Sequence, residues 1–404
     1  MSRPRLLFIS PRFLFPMNEG GKIRTANILK QMKGGVFEVV FASPAPATIG
    51  SFQDDIGSIC DEFLSWPVHR ATRLRRIAAL FDSVPVAAST DRSAAGRAVI
   101  SRALEQKPDV VLVDFPHAAV LLPQKPLPAA VIFTHNVEAE IFERHAKLAK
   151  GLMRQVWQSQ SRKMRRFEGD ALRRFDSVIA VSKRDGKALT ELYDLPCVEV
   201  IDTGVDLDFY ADSPPIAPPA PDAGTIVFTG AMDWRANIDG IEYLMDEVWP
   251  LVLQGRPRAN AVIVGRNPPP DLVTTAKERG LAWEFTGFVD DIRPFVAAGH
   301  VYVIPLRVGS GTRIKAFEAM AMGRPVVSTT IGVEGLDVRD EEHLLLADSA
   351  PAFASAILRL FDESGLGDRL AGAARARVEE RFSWSHVARQ FEAICQRALE
   401  RRRG

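Results

Sequence analysis

The sequence predicts an α/β protein of two doubly wound, Rossmann-like domains, and three observations carry that prediction. Short runs of successive apolar residues recur along its 404 residues, as strands of a parallel sheet covered on both faces require. Helical patterns alternate with them, which is the order of a βαβ protein. At 213–221 the chain reads SPPIAPPAP, whose five prolines forbid helix and central strand, and the alternation restarts beyond it.

Taken in order, the first half offers strands at RLLFIS (5–10), FEVVFAS (37–43), DVVLVD (109–114), AVIFTHN (130–136), SVIAVS (177–182) and VEVIDTG (198–204). GGKIRTANILKQM reads as a helix, and the basic run 138–175 holds one or two more, with Asn136 a candidate cap for a start near Val137. The second half offers TIVFTG (225–230), a helical NIDGIEYLMDEVWPLVLQ, then NAVIVG (260–265), WEFTG (283–287), VYVIPL (301–306), RPVVST (324–329) and HLLLA (343–347). The predicted division is therefore a first domain over 1–212, a linker over 213–221, a second domain over 222–384 and a terminal helix over 385–404. In that last segment Trp384, Val387, Phe391 and Ile394 recur at helical spacing and read as a core stripe.

Lys plus Arg number 51 against 50 Asp plus Glu, so the formal net charge of +1 gives no overall field for nucleic acid. Base is concentrated locally. Between Arg144 and Arg174 ten bases face only Glu168 and Asp170, and with Leu152, Met153, Val156 and Trp157 they suggest peripheral contact with anionic lipid through 144–174. HRATRLRRIAALF (69–81) repeats that theme. Cys60, Cys197 and Cys395 are scattered and odd in number, which argues for a reducing, cytoplasmic setting and against a disulfide or zinc framework. No apolar run approaches the roughly 18 residues of a spanning helix, so any membrane is met from the side, at its inner face.

Ligands of open parallel sheets lie beyond the C-terminal strand ends, and small residues gather there: Gly20 and Gly21, Gly230, Gly265, Gly287, then Gly309 and Gly311. A crevice between the two domains is the expected site. GSGTRIKAFE (309–318) fails the Walker spacing and lacks GxGxxG, which excludes those nucleotide folds. It does offer Ser310 or Thr312 as a helix cap, glycines that let backbone approach a ligand, and first-turn amides ahead of Ile314. Arg313 and Lys315 add cations where the helix dipole disfavours them, a conflict that a bound diphosphate relieves. Glu318, at i+3 from Lys315, is placed to pair with it or to accept from a ribose diol. Asp114 and His117 follow a strand and are candidates for an acceptor side. Asp206-Leu207-Asp208 reads as a solvated turn, and no metal site or cofactor is expected.

The run FTGFVDDIRPFVAAGHVYVIPLRVGSGTRIKAFEAMAMGRPVVSTTIGVEGL resembles the donor-binding half of the retaining glycosyltransferases of family 4, which have the two-domain GT-B fold. ISPRFLFPMNEGGKIRT, THNVE, VSKRD, VIDTGVD and FTGAMDWRANIDGI follow in that family's order, nearest to its bacterial exopolysaccharide branch. The resemblance implies a nucleotide sugar donor whose base lies near Gly287 and Phe288, whose ribose meets Glu318, and whose diphosphate takes the GSGTRI amides. It implies that Gly20 and Gly21 close over the diphosphate or acceptor, that His135 approaches the donor sugar, and that the terminal helix packs back on the first domain. Transfer would be metal-independent, to a glycan or lipid-linked acceptor. Two departures stand out: where the family carries two glutamates spaced E-x7-E the first position here is Ser310, and the usual Arg and Lys pair is missing from GAMDWRANIDG. Arg313 and Lys315 are candidates to replace that pair. The alternatives are a nucleotide-sugar epimerase of similar architecture and an inert donor-binding assembly subunit.

Overall fold

The structure is a computed structural model that describes every residue except 1–2, 18, 69–71, 203, 211–219, 221, 309–313, 335 and 404, and the side chains of Leu148, Asp208 and Ile314. Gly309, Ser310, Gly311, Thr312 and Arg313 therefore lie outside the described residues, as do most of the proline-rich stretch and the start of 69–81.

The chain divides into two compact units, Met1–Thr203 with Trp384–Gly404, and Gly204–Ser383. The first holds a seven-stranded sheet: β1 (Arg5–Ile9), β2 (Glu38–Ala45), β3 (Glu62–Pro67), β4 (Val110–Asp114), β5 (Ala129–Phe133), β6 (Ser177–Ala180) and β7 (Val198–Val200). Their order is β3-β2-β1-β4-β5-β6-β7, with every pairing parallel. The second holds β8 (Ala223–Thr229), β9 (Arg258–Val264), β10 (Trp283–Gly287), β11 (Val301–Ile304), β12 (Val326–Ser328) and β13 (Leu345–Leu346), ordered β10-β9-β8-β11-β12-β13 and again parallel. In both sheets the order reverses beside the unit's first strand, which places a topological switch point between β1 and β4 and another between β8 and β11.

Burial on both faces explains the unbroken apolar runs. Leu6 and Phe8 of β1 join one core cluster while Leu7 and Ile9 join the other. Likewise Ile226 and Phe228 of β8 face one cluster and Val227 the opposite one. The helix Trp384–Arg403 lies against the first unit's sheet: Trp384, Val387, Phe391 and Ile394 are buried with Phe8 and Phe133, and the Phe391 ring meets Phe133 edge-on at 5.2 Å.

Two expectations are corrected. β3, an edge strand, has no counterpart in the predicted strand series. The passage between units falls at 203/204, ahead of the proline-rich stretch, because Val205 and Tyr210 are buried in the second unit and Val205 N donates to Phe382 O at 2.7 Å.

Candidate active site

In the first unit, the C-terminal ends of β1, β4 and β5 bring together residues that are far apart in sequence. Asp114 ends β4 with no exposed surface. Its Oδ2 accepts from Ser10 Oγ at 3.1 Å and from Thr25 Oγ1 at 3.2 Å, while Oδ1 is 2.6 Å from His135 Nε2. Arg24 Nη1 lies 3.2 Å from His135 Nδ1. A guanidinium only donates, so Nδ1 is the acceptor and the ring proton sits on Nε2, donated to Asp114. Burial presses the His135 pKa below its ordinary value, against the pull of Asp114 and with the push of Arg24 and Arg12, so the ring is neutral. Burial likewise lowers Arg24, to about 10, which leaves it charged at neutral pH.

Two local devices hold His135. Phe115 stacks on the imidazole with centroids 4.0 Å apart and planes 17° apart, and its φ of 67° is a left-handed conformation that costs a bulky residue about 1–3 kcal/mol. Gly21 in the helix Gly20–Met32 permits this stack, since a Cβ there would sit 3.0 Å from Phe115 Cζ, whereas Gly20 faces open space. The second device starts the helix Glu138–Leu148 just after His135. Glu168, fully buried, accepts from Glu138 N and Ala139 N at 2.9 Å each and from Tyr193 Oη at 2.6 Å. A carboxylate on a helix N-terminus is favoured by both the free amides and the dipole. The candidate Asn136 cap is not formed: the N-cap residue is Val137, with no side-chain cap bond.

Asp114, a candidate for an acceptor side, has no exposed surface and stands beneath His135 as its hydrogen-bond partner. His117 is 3.5 Å from Asp91 through Nε2. Burial pushes His117 down to about 3 and Asp91 up to about 7, so a neutral imidazole faces a carboxyl that titrates near neutrality.

In the second unit, Lys315 and Glu318 lie on the helix Ile314–Ala321. Lys315 Nζ donates to Asn237 Oδ1 at 2.8 Å and stands 4.2 Å over the Phe228 ring. A Cβ on Gly230 would be 2.9 Å from that ammonium, so Lys315 occupies the end of β8, at the switch point. Glu318 Oε1 accepts from Tyr210 Oη at 3.1 Å. Burial raises the Glu318 pKa, opposed by the Tyr210 hydrogen bond and the Lys315 charge. Gly230, Gly265 and Gly287 converge: Gly265 N donates to Gly287 O at 3.2 Å, and a Cβ on Gly265 would collide with the Gly230 carbonyl. Gly287 has φ 72°, and the Phe288 side chain beyond it is 73% exposed. Asp206 Oδ1 accepts from Phe209 N at 3.0 Å, capping the turn Leu207–Tyr210.

The structure thus gathers Gly21, Asp114 and His135 in one unit, and Gly230, Lys315 and Glu318 in the other. Arg24, Glu168, Asn237 and Tyr210 were missed. A signal existed for Arg24, one turn beyond Gly20 and Gly21 on the same helix. The rest depend on tertiary partners.

Residues 34–209 match the family model Glycosyltransferase Family 4, and residues 223–363 match Glycosyl transferases group 1. The chain belongs to glycosyltransferase family 4. Among curated relatives, the phosphatidyl-myo-inositol mannosyltransferase of Mycobacterium leprae is 32% identical over 198 residues, 48% of this chain and 52% of that one. The chain spans about half the length of the curated relatives it matches. A Rickettsia africae glycosyltransferase superposes with TM-score 0.64 at 16% identity over 99% of both chains. Anabaena HepE, solved with UDP and glucose, gives 0.60 at 15% over 97% of this chain and 99% of that one. At such identities the likeness establishes the fold, which is GT-B.

Proposed function

We propose that this family 4 chain is a retaining, metal-independent transferase that moves a sugar from a nucleotide diphosphate donor to a glycan or lipid-linked acceptor in cell-surface or exopolysaccharide synthesis. The observation that carries the reading is Lys315: its ammonium reaches into GAMDWRANIDG, against Gly230 and Asn237, in the stretch where the family's cation pair is missing. A cation there can meet the negative charge that grows on a departing diphosphate, and removing such a donor costs about 10²–10³ in rate. Arg313 and the amides of 309–313 would complete the cradle, with Glu318 on the ribose and Gly287 and Phe288 beside the base. HepE, with UDP, supports a nucleotide donor by likeness of fold.

His135 acts here as a fixed neutral hydrogen-bonding group and holds no mobile proton, since Nε2–H is committed to Asp114 and Arg24 donates to Nδ1. The proton of the acceptor hydroxyl then goes to the leaving phosphate as the acceptor enters on the same face. An acceptor carried in lipid is favoured by exposed Leu74, Phe81 and Leu152 among the exposed bases Arg73, Arg76, Lys150 and Arg154. Among the described residues no helix is long and apolar enough to cross a membrane.

A panel of nucleotide sugars screened by thermal shift tests the reading, followed by transfer of labelled sugar to lipid-linked and glycan acceptors. One nucleotide class should raise the unfolding temperature, and Lys315→Ala should slow transfer. If no nucleotide sugar stabilises the protein, the reading is wrong; binding of a donor without transfer to any acceptor points to an inert donor-binding subunit.

A further inference from the structure

We infer that Tyr210 is a positioning residue of the nucleotide site: the hydroxyl it donates to Glu318 sets how that carboxylate receives a ribose diol. The inference rests on the reading of Glu318 as the ribose acceptor.

The contact is built. The chain enters the second unit at 204, and Val205 N is held by Phe382 O at 2.7 Å. Asp206 caps the turn that ends at Tyr210, and Arg293 clamps Phe209 from outside, donating to its carbonyl at 2.8 Å with the guanidinium 3.9 Å over its ring. Tyr210 is 9% exposed and shares a core cluster with Val205, Phe317 and Phe382. Its hydroxyl is thereby delivered to Glu318 Oε1 from a segment 108 residues away in sequence.

A carboxylate has about four acceptor positions, so one phenolic hydrogen on Oε1 leaves room for both hydroxyls of a ribose. Tyr210 and a nucleotide then share Glu318, and the phenol does two things for the ligand. It fixes the carboxylate rotamer, which removes an ordering cost from binding. It also favours the ionised form, the one that accepts from both ribose hydroxyls, in a place where burial favours the protonated one. The other groups whose charge bears on this pair are Lys315 on the same helix, Tyr302 on β11 and Asp206 in the turn. Of the elements packed on the Glu318 helix, β12 carries no titratable side chain, and Arg377 and Arg381 of Leu366–Phe382 reach Asp337.

The test compares wild type, Tyr210→Phe and Glu318→Gln in binding ribo- and 2′-deoxyribonucleoside diphosphates between about pH 5 and 8. The phenylalanine keeps the buried ring. Wild type should prefer the ribonucleotide; Tyr210→Phe should lose roughly tenfold on the ribonucleotide and little on the deoxynucleotide. Its ribonucleotide affinity should also fail at a higher pH than in wild type, because without the phenol Glu318 takes up its proton sooner. The ribo-to-deoxy ratio is internal to each variant, so a lowered melting temperature does not disturb it. An unchanged ratio and pH profile in Tyr210→Phe would overturn the inference and reduce Tyr210 to packing. Should Glu318→Gln leave the ratio untouched, the ribose role of Glu318 fails first and carries this inference with it.

Discussion

Replacing Asp114 by asparagine tests the hydrogen-bond order around His135 more sharply than deleting the histidine. The shape is kept and one acceptor oxygen becomes an amide NH2. As placed, the carboxylate receives three donors, Ser10 Oγ, Thr25 Oγ1 and His135 Nε2–H, and Arg24 feels its charge. If the amide nitrogen faces His135, the ring must move its proton to Nδ1, which then points at the Arg24 guanidinium, donor against donor. Flipping the amide turns the NH2 on the two hydroxyls. Either way at least one hydrogen bond to a charged acceptor is lost, about 1.5–3 kcal/mol, since in the flipped form the hydroxyls must rotate to accept; with the nitrogen toward His135 a buried donor is also left facing another, about 1–3 kcal/mol. In that orientation the two add to about 2.5–6 kcal/mol, which brackets the roughly 3–5 kcal/mol cost of breaking a buried charged pair. Urea unfolding of both proteins measures the loss, and nitrogen-15 shifts of the His135 ring report the tautomer. A loss below about 1 kcal/mol with the Nε2–H form retained would refute the assignment.

Three further outcomes follow from the packing. Phe391→Ala should cost about 3–5 kcal/mol in guanidinium unfolding, because the ring is fully buried against Phe8 and Phe133. Gly265→Ala should cost about 1–3 kcal/mol and weaken nucleotide binding, since its Cβ meets the Gly230 carbonyl beside Lys315. Glu138→Gln should stabilise the protein by about 1–2 kcal/mol at about pH 8 and by much less at about pH 5, the full shift being discounted for partial burial. Burial, then the Glu168 charge, raises the Glu138 pKa from 4.5 to about 7 against Asn136 and Arg12. A carboxyl raised in the folded state adds stability that is present below about 4.5 and lost as pH climbs through about 7, and glutamine escapes that loss. Urea midpoints at the two pH values check it.

What the sequence disclosed follows from how many neighbours decide each feature. β1, β2, β4 and β5 were legible because burial on two faces demands apolar residues in succession, a property of one segment. β3 was not: EFLSWP sits at the sheet edge, its residues partly exposed except Trp66, so no run forms. Gly21, His135 and Glu318 were singled out through their place in quoted motifs. Arg24 and Tyr210 act on partners 111 and 108 residues away, and Glu168 on a helix start 30 away, so each looked locally like a surface base, a turn aromatic or a stray acid in a basic run. The proline stretch misled for a physical reason: missing N–H groups forbid regular structure, but they do not mark where side-chain contacts change partners, and Tyr210 has already joined the second unit before it.

The two key carboxylates are shielded on different terms, Asp114 with no exposed surface and Glu318 half-buried, and their hydrogen bonding differs as well. Asp114 is met by two hydroxyls, an imidazole N–H and a nearby guanidinium, so its acceptor positions are largely filled from within the fold. Such a group organises its neighbours and has little left to offer a ligand. Glu318 accepts one hydroxyl among the described residues, and its pKa is raised because burial outweighs that bond and the Lys315 charge. A carboxylate kept in that condition costs stability, and packing alone would be better served by an apolar side chain of the same volume. Under the proposed function a ribose diol would supply further donors. Glu168 sorts with Asp114 by its three donors alone, since burial raises its pKa as it does that of Glu318. Unequal hydrogen-bond satisfaction of these carboxylates, more than their shielding from water, is what makes Glu318 the one proposed to meet a nucleotide.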